Sequence, residues 1–394
     1  MSAPPVVLHV GKYYPPAPGG MERVVQLLCE GEQPVENRVL VANTTAHTVR
    51  EVWRGVPVTR VASVGSIGSV AVCPTFPLQL LRARRDLTVI HEPNPLAMAS
   101  HAVAGQSGPL VVWFHSEVIR PRWKYRLMYR PFLRRALRLA ARIVVSSPNL
   151  AQHAAELQDF RAKCVVIPFG IETTTLQRTA AVEARVSDIV GRHPGPRIFF
   201  LGRLVPYKGV EVLLRAMQDL QGTALIAGEG PLRASLEAQS RTSGVADKVR
   251  FLGHLSDEEV VAHLHACDVF VLPSVTRAET FGVVQLEAMA CGKPVVSTDL
   301  PTGVPWVNRH GETGLVVEPG DAAALAAALG AITSDASLRE RLGARAKQRV
   351  EEQFSVARMT ARTAQLFQEV LLESRTPKRT LDTGGRGPAD RMKV

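Results

Sequence analysis

Short runs of apolar, mostly β-branched residues alternate with helical patterns along most of the chain. In the first half VVLHV (6–10), RVLVA (38–42), TVIHE (88–92), LVVWF (110–114), RIVVS (142–146) and CVVIP (164–168) are unbroken enough to be strands buried on both faces. RIFFL (197–201), TALIA (223–227), VRFLG (249–253), VFVLP (269–273) and PVVS (294–297) repeat the theme in the second half. Strand alternating with helix predicts an α/β protein built on parallel, doubly wound sheets. Residues 172–196 carry no buried strand and end in RHPGPR, punctuation that predicts a linker and a boundary near residue 190. The last part reads as helical: DAAALAAALGAI from 321, ASLRERLGARAKQRV from 336 and SVARMTARTAQLFQEVLLES from 355. From Arg375 onward the polar, Gly- and Pro-containing RTPKRTLDTGGRGPADRMKV predicts a disordered tail, 375–394.

The 394 residues exceed what one core normally supports, so two domains are expected. No apolar run approaches the roughly eighteen residues of a membrane span, and MSAPPVVLHV lacks the basic start and long apolar core of a signal peptide. The expected location is therefore the cytosol. The five cysteines are scattered and odd in number, with no C-x-x-C pair, which reads as reduced thiols.

The net charge of +11 is concentrated in one segment. Arg120, Arg122, Lys124, Arg126, Arg130, Arg134, Arg135, Arg138 and Arg142 fall together with no acidic residue among them, leaving the rest of the chain nearly neutral. Trp123, Tyr125, Leu127, Tyr129, then Phe132, Leu133, Ala136, Leu137 and Ala140, predict two short amphipathic helices broken at Pro131. A solvated helical face with a core side explains this pattern, and so does contact with an anionic bilayer through Arg134, Arg135 and Arg138. Nucleic acid is not an expected partner, because no DNA- or RNA-binding signature accompanies the charge.

Candidate chemistry sits where strands end. Gly19 and Gly20 follow the first strand and open an amphipathic helix, a turn whose backbone a ligand can approach with a positive helix terminus behind it. His115 ends LVVWFH, and Glu117 lies two residues on, as an acceptor contact or a partner for Arg120. GRLVPYKG offers Arg203 and Lys208, a bidentate fork and a point charge suited to a diphosphate, although a solvated basic loop would look the same. Gly228 and Gly230 in IAGEGPLR again join a strand to a helix, without the full dinucleotide fingerprint. HLHACD puts His265 on a different helix face from His263 and Cys267, so no metal is expected there. In RAETFGVVQLEAMACGKPVVS, Gly282 predicts a helix start that leaves Glu279 in the preceding loop and Glu287 one to two turns inside, positions a bound polyol could bridge.

Taken in order, GGMERVV, WFHSEVIRP, SSPNLA, IPFGIE, GRLVPYKG, AGEGPLR, VLPS, ETFGVVQLEAMACGKPVVST and GETGLVVEPGD resemble family 4 of the retaining glycosyltransferases, over residues 6–355. The resemblance implies the GT-B fold: two Rossmann-like domains facing across a cleft. These would be an acceptor domain (1–190) and a nucleotide-sugar donor domain (191–354), with the last helix, about 355–374, packing back on the first. It implies that Glu279 lies near the donor sugar hydroxyls and that Glu287 accepts both ribose hydroxyls. Phe281, Gly282 and Val283 would present backbone N–H groups to sugar and phosphates, Arg203 and Lys208 would hold the diphosphate, Gly20 would lie over the phosphates, and His115 would stand near the reacting centre.

The mechanism implied is metal-independent transfer with retention, in which the departing phosphate helps deprotonate the acceptor hydroxyl and Arg203, Lys208 and two helix ends stabilise it. No cofactor is implied beyond the nucleotide sugar; the acceptor would be lipid-linked or a saccharide, met peripherally at a membrane. Members with the HSE and VPWV variants look like bacterial transferases of mannose or related hexoses in surface polysaccharide assembly, which makes GDP-mannose the first donor to consider. Thr280 stands where the family often has glycine, and Trp306 where many members have glutamate. Two other classes of function remain at this stage: a nucleotide-binding scaffold without turnover, and a nucleic-acid binder using residues 120–142.

Overall fold

The computed structural model describes residues 3–17, 19–31, 33–68, 70–118 and 125–375, with the side chains of Tyr125 and Arg126 excluded. The expected tail beyond Arg375, and Arg120, Arg122, Trp123 and Lys124 of the basic segment, lie outside them.

Two large sheets organise the chain. The first runs, in spatial order, Cys164–Val166, Arg142–Val145, Leu110–Phe114, Leu87–Glu92, Val6–Val10, Glu36–Ala42, Val56–Val61 and Val49–Trp53. Neighbours are parallel except the last pair, an antiparallel edge hairpin that turns at Arg54 and Gly55, both at positive φ. Apolar periodicity alone did not expose that hairpin, because its outer strand VREVW is largely solvated. The second sheet is parallel throughout: Val249–Gly253, Thr223–Ala227, Arg197–Leu201, Val269–Leu272, Val295–Thr298 and Gly314–Val317.

Alternate residues of each central strand bury on opposite faces. Val7, Val89, Val111, Trp113 and Val144 face Leu28 and the last helix, while Leu8, Val10, Ile90, Val112 and Phe114 face Phe76, Met98, Leu133 and Leu137. This double burial is why these strands read as unbroken apolar runs. Each sheet reverses its strand order next to its first strand. In the first sheet the reversal lies between Val6–Val10 and Leu87–Glu92, and in the second between Arg197–Leu201 and Val269–Leu272. Ligands of doubly wound sheets bind outside the carboxyl ends of strands at such points.

Two expectations need correction. Residues 172–196 are not an open linker: Ala180–Arg192 is a helix capped by Thr179, and it packs on helix Asp257–Ala266 of the second unit, with Arg185 bonded to Glu258 at 2.5 Å. Residues 172–196 thus hold a packed helix rather than an open connection. Nor does Pro131 break a helix. It occupies the first turn of Arg130–Leu139, where its missing N–H costs nothing, and a π-helical turn, Tyr125–Tyr129, leads into it.

The chain crosses between the units twice, side by side. Ile171 donates to Phe354 O at 2.8 Å and bridges to Ser355, and a Cβ on Gly170 would lie 2.5 Å from Ser355 O. Helix Val356–Arg375 then returns to the first unit. Phe367 meets His9 edge-on at 5.9 Å, and Glu373 bonds Arg142 at 2.5 Å.

Candidate active site

The second unit supplies a charged loop ahead of a helix. Helix Val283–Ala290 starts from Gly282 at φ 68°, and a Cβ there would sit 2.5 Å from Leu272 Cδ2, so the entry turn demands glycine. Thr280 keeps a negative φ, which accommodates its departure from glycine. Glu279 turns inward and is 7% exposed. Its Oε2 accepts from Lys208 Nζ at 2.5 Å and from Ser274 Oγ at 3.1 Å. Lys208, on the short turn Pro206–Lys208, is thus a buried, pinned cation rather than a mobile one, with two N–H bonds left for other partners. Arg203 stands exposed at the start of the same loop.

Gly228 and Gly230, expected at the donor, have a packing role in the fold. A Cβ on Gly228 would strike Gly202 O, and one on Gly230 would strike Leu204 O, so both glycines let the 228–232 loop lie against the loop bearing Arg203. Leu204 N donates to Glu229 O at 2.9 Å and Leu232 N to Leu204 O at 3.1 Å across that contact. Glu287, half-buried on the helix, has its carboxyl pushed up to about 7, mainly by burial and then by Asp257, with Arg23 of the first unit opposing.

From the first unit, helix Gly20–Glu30 begins at Gly20, around which a Cβ would find open space. Gly19 is covered by the carboxylate of Glu22, a buried group whose pKa is raised by desolvation. His115 lies just past strand Leu110–Phe114, its N–H donating to Glu92 O at 2.9 Å. The ring is buried, with its pKa lowered to about 3 by desolvation, and its Nδ1 has no hydrogen-bond partner. It stacks on Phe169 at 5.5 Å, and Phe169 meets Phe281 edge-on at 5.0 Å. That ladder ties His115 to the loop of Glu279, with Phe281 at its far end.

Trp306 completes the apolar floor, packing on Phe281 at 6.3 Å and Phe354 at 5.5 Å, with the Arg349 guanidinium over its ring at 5.6 Å. Glu117 is a bridge between the units: it accepts from Ala155 N at 2.7 Å and pairs with Arg277 at 2.9 Å. Arg277 also donates to His153 O at 2.7 Å. Arg134, Arg135 and Arg138 stand on helix Arg130–Leu139, Arg134 paired with Asp159 and the other two exposed beside the exposed Leu127 and Met128.

The sequence reading passed over His9 and His91, each placed inside an otherwise apolar strand, as well as Ser274 and Arg277. The signal for the histidines was there: VVLHV, TVIHE and WFHSE each set a histidine at or near a strand's carboxyl end.

Two parallel, doubly wound units with charged loops at their strand ends are the architecture of the GT-B fold. Solved structures share it: Anabaena HepE in complex with UDP (TM-score 0.73, 20% identity, 92% of this chain and 99% of that one) and sucrose-phosphate synthase from Thermosynechococcus elongatus (TM-score 0.75, 21% identity, 94% and 100%). The family described as Glycosyltransferase Family 4 matches residues 18–175, and Glycosyl transferases group 1 matches 188–349. Among curated relatives, the D-rhamnosyltransferase WbpZ of Pseudomonas aeruginosa is 35% identical over 89% of this chain and 92% of its own length. O-antigen chain mannosyltransferase C of Escherichia coli is 30% identical over 94% and 100%. The phosphatidyl-myo-inositol mannosyltransferase of Mycobacterium leprae is 31% identical over 82% and 86%. The chain belongs to glycosyltransferase family 4.

Proposed function

We propose that this protein transfers a manno-configured hexose, with retention and without a metal, from a nucleoside-diphosphate sugar to a saccharide or lipid-linked acceptor in surface polysaccharide or glycolipid assembly. GDP-mannose is the first donor to test. The carrying observation is the ring ladder His115–Phe169–Phe281, which links the histidine of the first unit, its Nδ1 without a partner, to the loop of the second that bears the Lys208–Glu279 pair. The sugar preference is supported by relatives that act on mannose and on D-rhamnose, its 6-deoxy form.

In this reading Glu287 accepts the ribose hydroxyls, and Lys208, Arg203 and the amino end of helix Val283–Ala290 meet the diphosphate. Charge builds on the leaving phosphate as the glycosidic bond breaks, and these preorganised positive groups stabilise it there. The phosphate takes the acceptor's proton on the same face, so the new bond keeps the configuration of the old. Arg135 and Arg138, beside Leu127 and Met128, suit a peripheral contact with an anionic bilayer on the cytosolic side. Flotation with anionic vesicles tests that contact, and binding unchanged in Arg135→Glu/Arg138→Glu would dismiss it.

The deciding experiment is a thermal-stability screen against UDP, GDP, ADP and dTDP, with and without Mg²⁺, on wild type and Glu287→Ala. A nucleotide at about a hundred times its Kd adds roughly 2.7 kcal/mol, a shift of a few degrees. Stabilisation by GDP without metal, lost in the variant, is the expected result, followed by transfer from GDP-mannose. Indifference to all four nucleotides would overturn the reading.

A further inference from the structure

Three histidines stand in line on neighbouring strands of the first sheet. His9 lies on Val6–Val10, His91 on Leu87–Glu92, and His115 just after Leu110–Phe114. All are buried. Their rings stack, with centroids 5.3 Å and 5.2 Å apart, and their nitrogens are hydrogen-bonded in series. His9 Nδ1 lies 3.0 Å from His91 Nε2, and His91 Nδ1 lies 3.0 Å from His115 Nε2. At the far end His9 Nε2 lies 3.3 Å from Asn37 Oδ1, and Asn37 Nδ2 donates to the backbone oxygen of Cys29 at 3.4 Å.

The direction of the whole series follows from that last contact. A backbone carbonyl only accepts, so the Asn37 amide must turn its NH₂ toward Cys29 and its oxygen toward His9. His9 Nε2 therefore carries a proton. Burial keeps His9 neutral, its pKa lowered to about 4, so its Nδ1 is bare and must receive the His91 Nε2 proton. His91, likewise held neutral by burial, has a bare Nδ1 that receives the His115 Nε2 proton. His115 Nδ1 is then a bare acceptor, and it is the one nitrogen of the series with no partner.

We propose that Asn37, His9 and His91 are positioning residues that lock His115 in its Nε2–H tautomer, so that Nδ1 accepts a hydrogen bond from a hydroxyl of the sugar bound in the cleft. The role of the sugar rests on the transferase reading above, whereas the lock does not. The series is also closed to proton traffic. A proton taken up at His115 Nδ1 could hop along it only if Asn37 accepted the last one, and an amide does not. His115 thus selects and orients a hydroxyl; it neither protonates the leaving phosphate nor relays the acceptor's proton.

The test reads the ring nitrogens directly. In protein labelled with ¹⁵N-histidine and without substrate, His9, His91 and His115 should each show a protonated Nε2 and a bare Nδ1. His91→Phe keeps the packing but removes both bonds, and should leave His115 a mixture of tautomers. Its kcat/KM should fall about 10- to 100-fold, as when outer partners of metal-bound histidines are removed, with nucleotide affinity unchanged. His91→Gln, whose amide can donate to His9 and accept from His115, should restore the tautomer and most of the transfer. A wild-type spectrum with the proton on His115 Nδ1 overturns the lock, even in an active enzyme and even if His91→Phe does not fold. A His91→Phe protein with altered tautomers but undiminished transfer overturns the role of the lock in catalysis. Failure of every nucleotide to bind overturns the transferase reading instead, and leaves the spectrum to decide the lock.

Discussion

Glu287 carries a carboxyl that titrates near neutrality, because burial and Asp257 both oppose its charge. Its folded value, about 7, lies above the ordinary 4.5, so between those limits the native state holds a proton that the unfolded chain has lost. Stability therefore falls through this residue as pH rises from 4.5 to about 7. A ligand whose hydroxyls donate to the carboxylate selects the charged form. The affinity for GDP should thus rise up to about tenfold between about pH 6 and 8, and rise less in Glu287→Gln. Calorimetry showing the same pH slope in both proteins would refute that linkage. Lys208 and Glu279 form the other charged element of the site, a pair at 2.5 Å with both side chains nearly enclosed. Lys208→Met leaves a buried carboxylate without its cation and should cost about 3 kcal/mol or more. Adding Glu279→Gln should recover part of that loss, and denaturant unfolding of the four proteins of the cycle measures it. Strict additivity would mean that the pair is not coupled.

At the scale of elements, the glycines of the candidate site divide into two kinds. Gly228 and Gly230 let one strand-end loop lie on another, so Gly228→Ala or Gly230→Ala forces backbone apart and should lose about 2 kcal/mol or more. Gly20 faces open space at the start of its helix. Gly20→Ala should leave stability within about 0.5 kcal/mol while weakening nucleotide-sugar binding, if a ligand lies against that backbone. Thermal midpoints and Kd values on the same three proteins separate the two kinds. A destabilised Gly20→Ala would show that the turn is under strain the geometry does not reveal. The strand elements were legible because double burial leaves unbroken apolar runs. The hairpin Val49–Trp53 with Val56–Val61 was not, since a solvated edge strand has no such run. The basic helix was legible as amphipathic, but Pro131 reads equally as a break or a first turn until its neighbours are placed.

For the whole molecule, buried ionisable groups set how stability varies with pH. His9, His91 and His115 resist protonation in the folded state, while Glu92, pushed up to about 8 by burial, and Glu287 resist ionisation. His101, His193, His263 and His265 are held below the ordinary histidine value by burial too, so between the ordinary 4.5 of glutamate and 6.5 of histidine the unfolded chain gains on its histidines more protons than the native state keeps on Glu22, Glu92 and Glu287. Stability should rise with pH there, at roughly 1.4 kcal/mol per pH unit for each net proton. Above 6.5 the histidine contribution fades, and once the glutamate contribution outweighs it stability should fall until that contribution is spent near 8. Denaturant midpoints measured across this range should peak between pH 6.5 and 8; a curve still climbing beyond pH 8 would mean that Glu92 and Glu287 are ionised in the folded protein.

By itself the sequence determined the layered α/β architecture, the strand ends where chemistry gathers, and the helix start at Gly282 with Glu279 before it and Glu287 inside it. Those features are local: they depend on periodicity, on glycine's freedom at positive φ, and on residues close together in the chain. Only the tertiary structure decided that Lys208 is pinned by Glu279, that Arg277 joins Glu117 across the units, and that Gly228 and Gly230 serve loop packing. The histidine series is the extreme case. Asn37 lies 28 positions from His9, and His91 lies 82 from His9 and 24 from His115. Parallel strands bring such distant positions side by side through long crossovers, so hydrogen-bond direction in the series is set by strand order and register rather than by any local pattern.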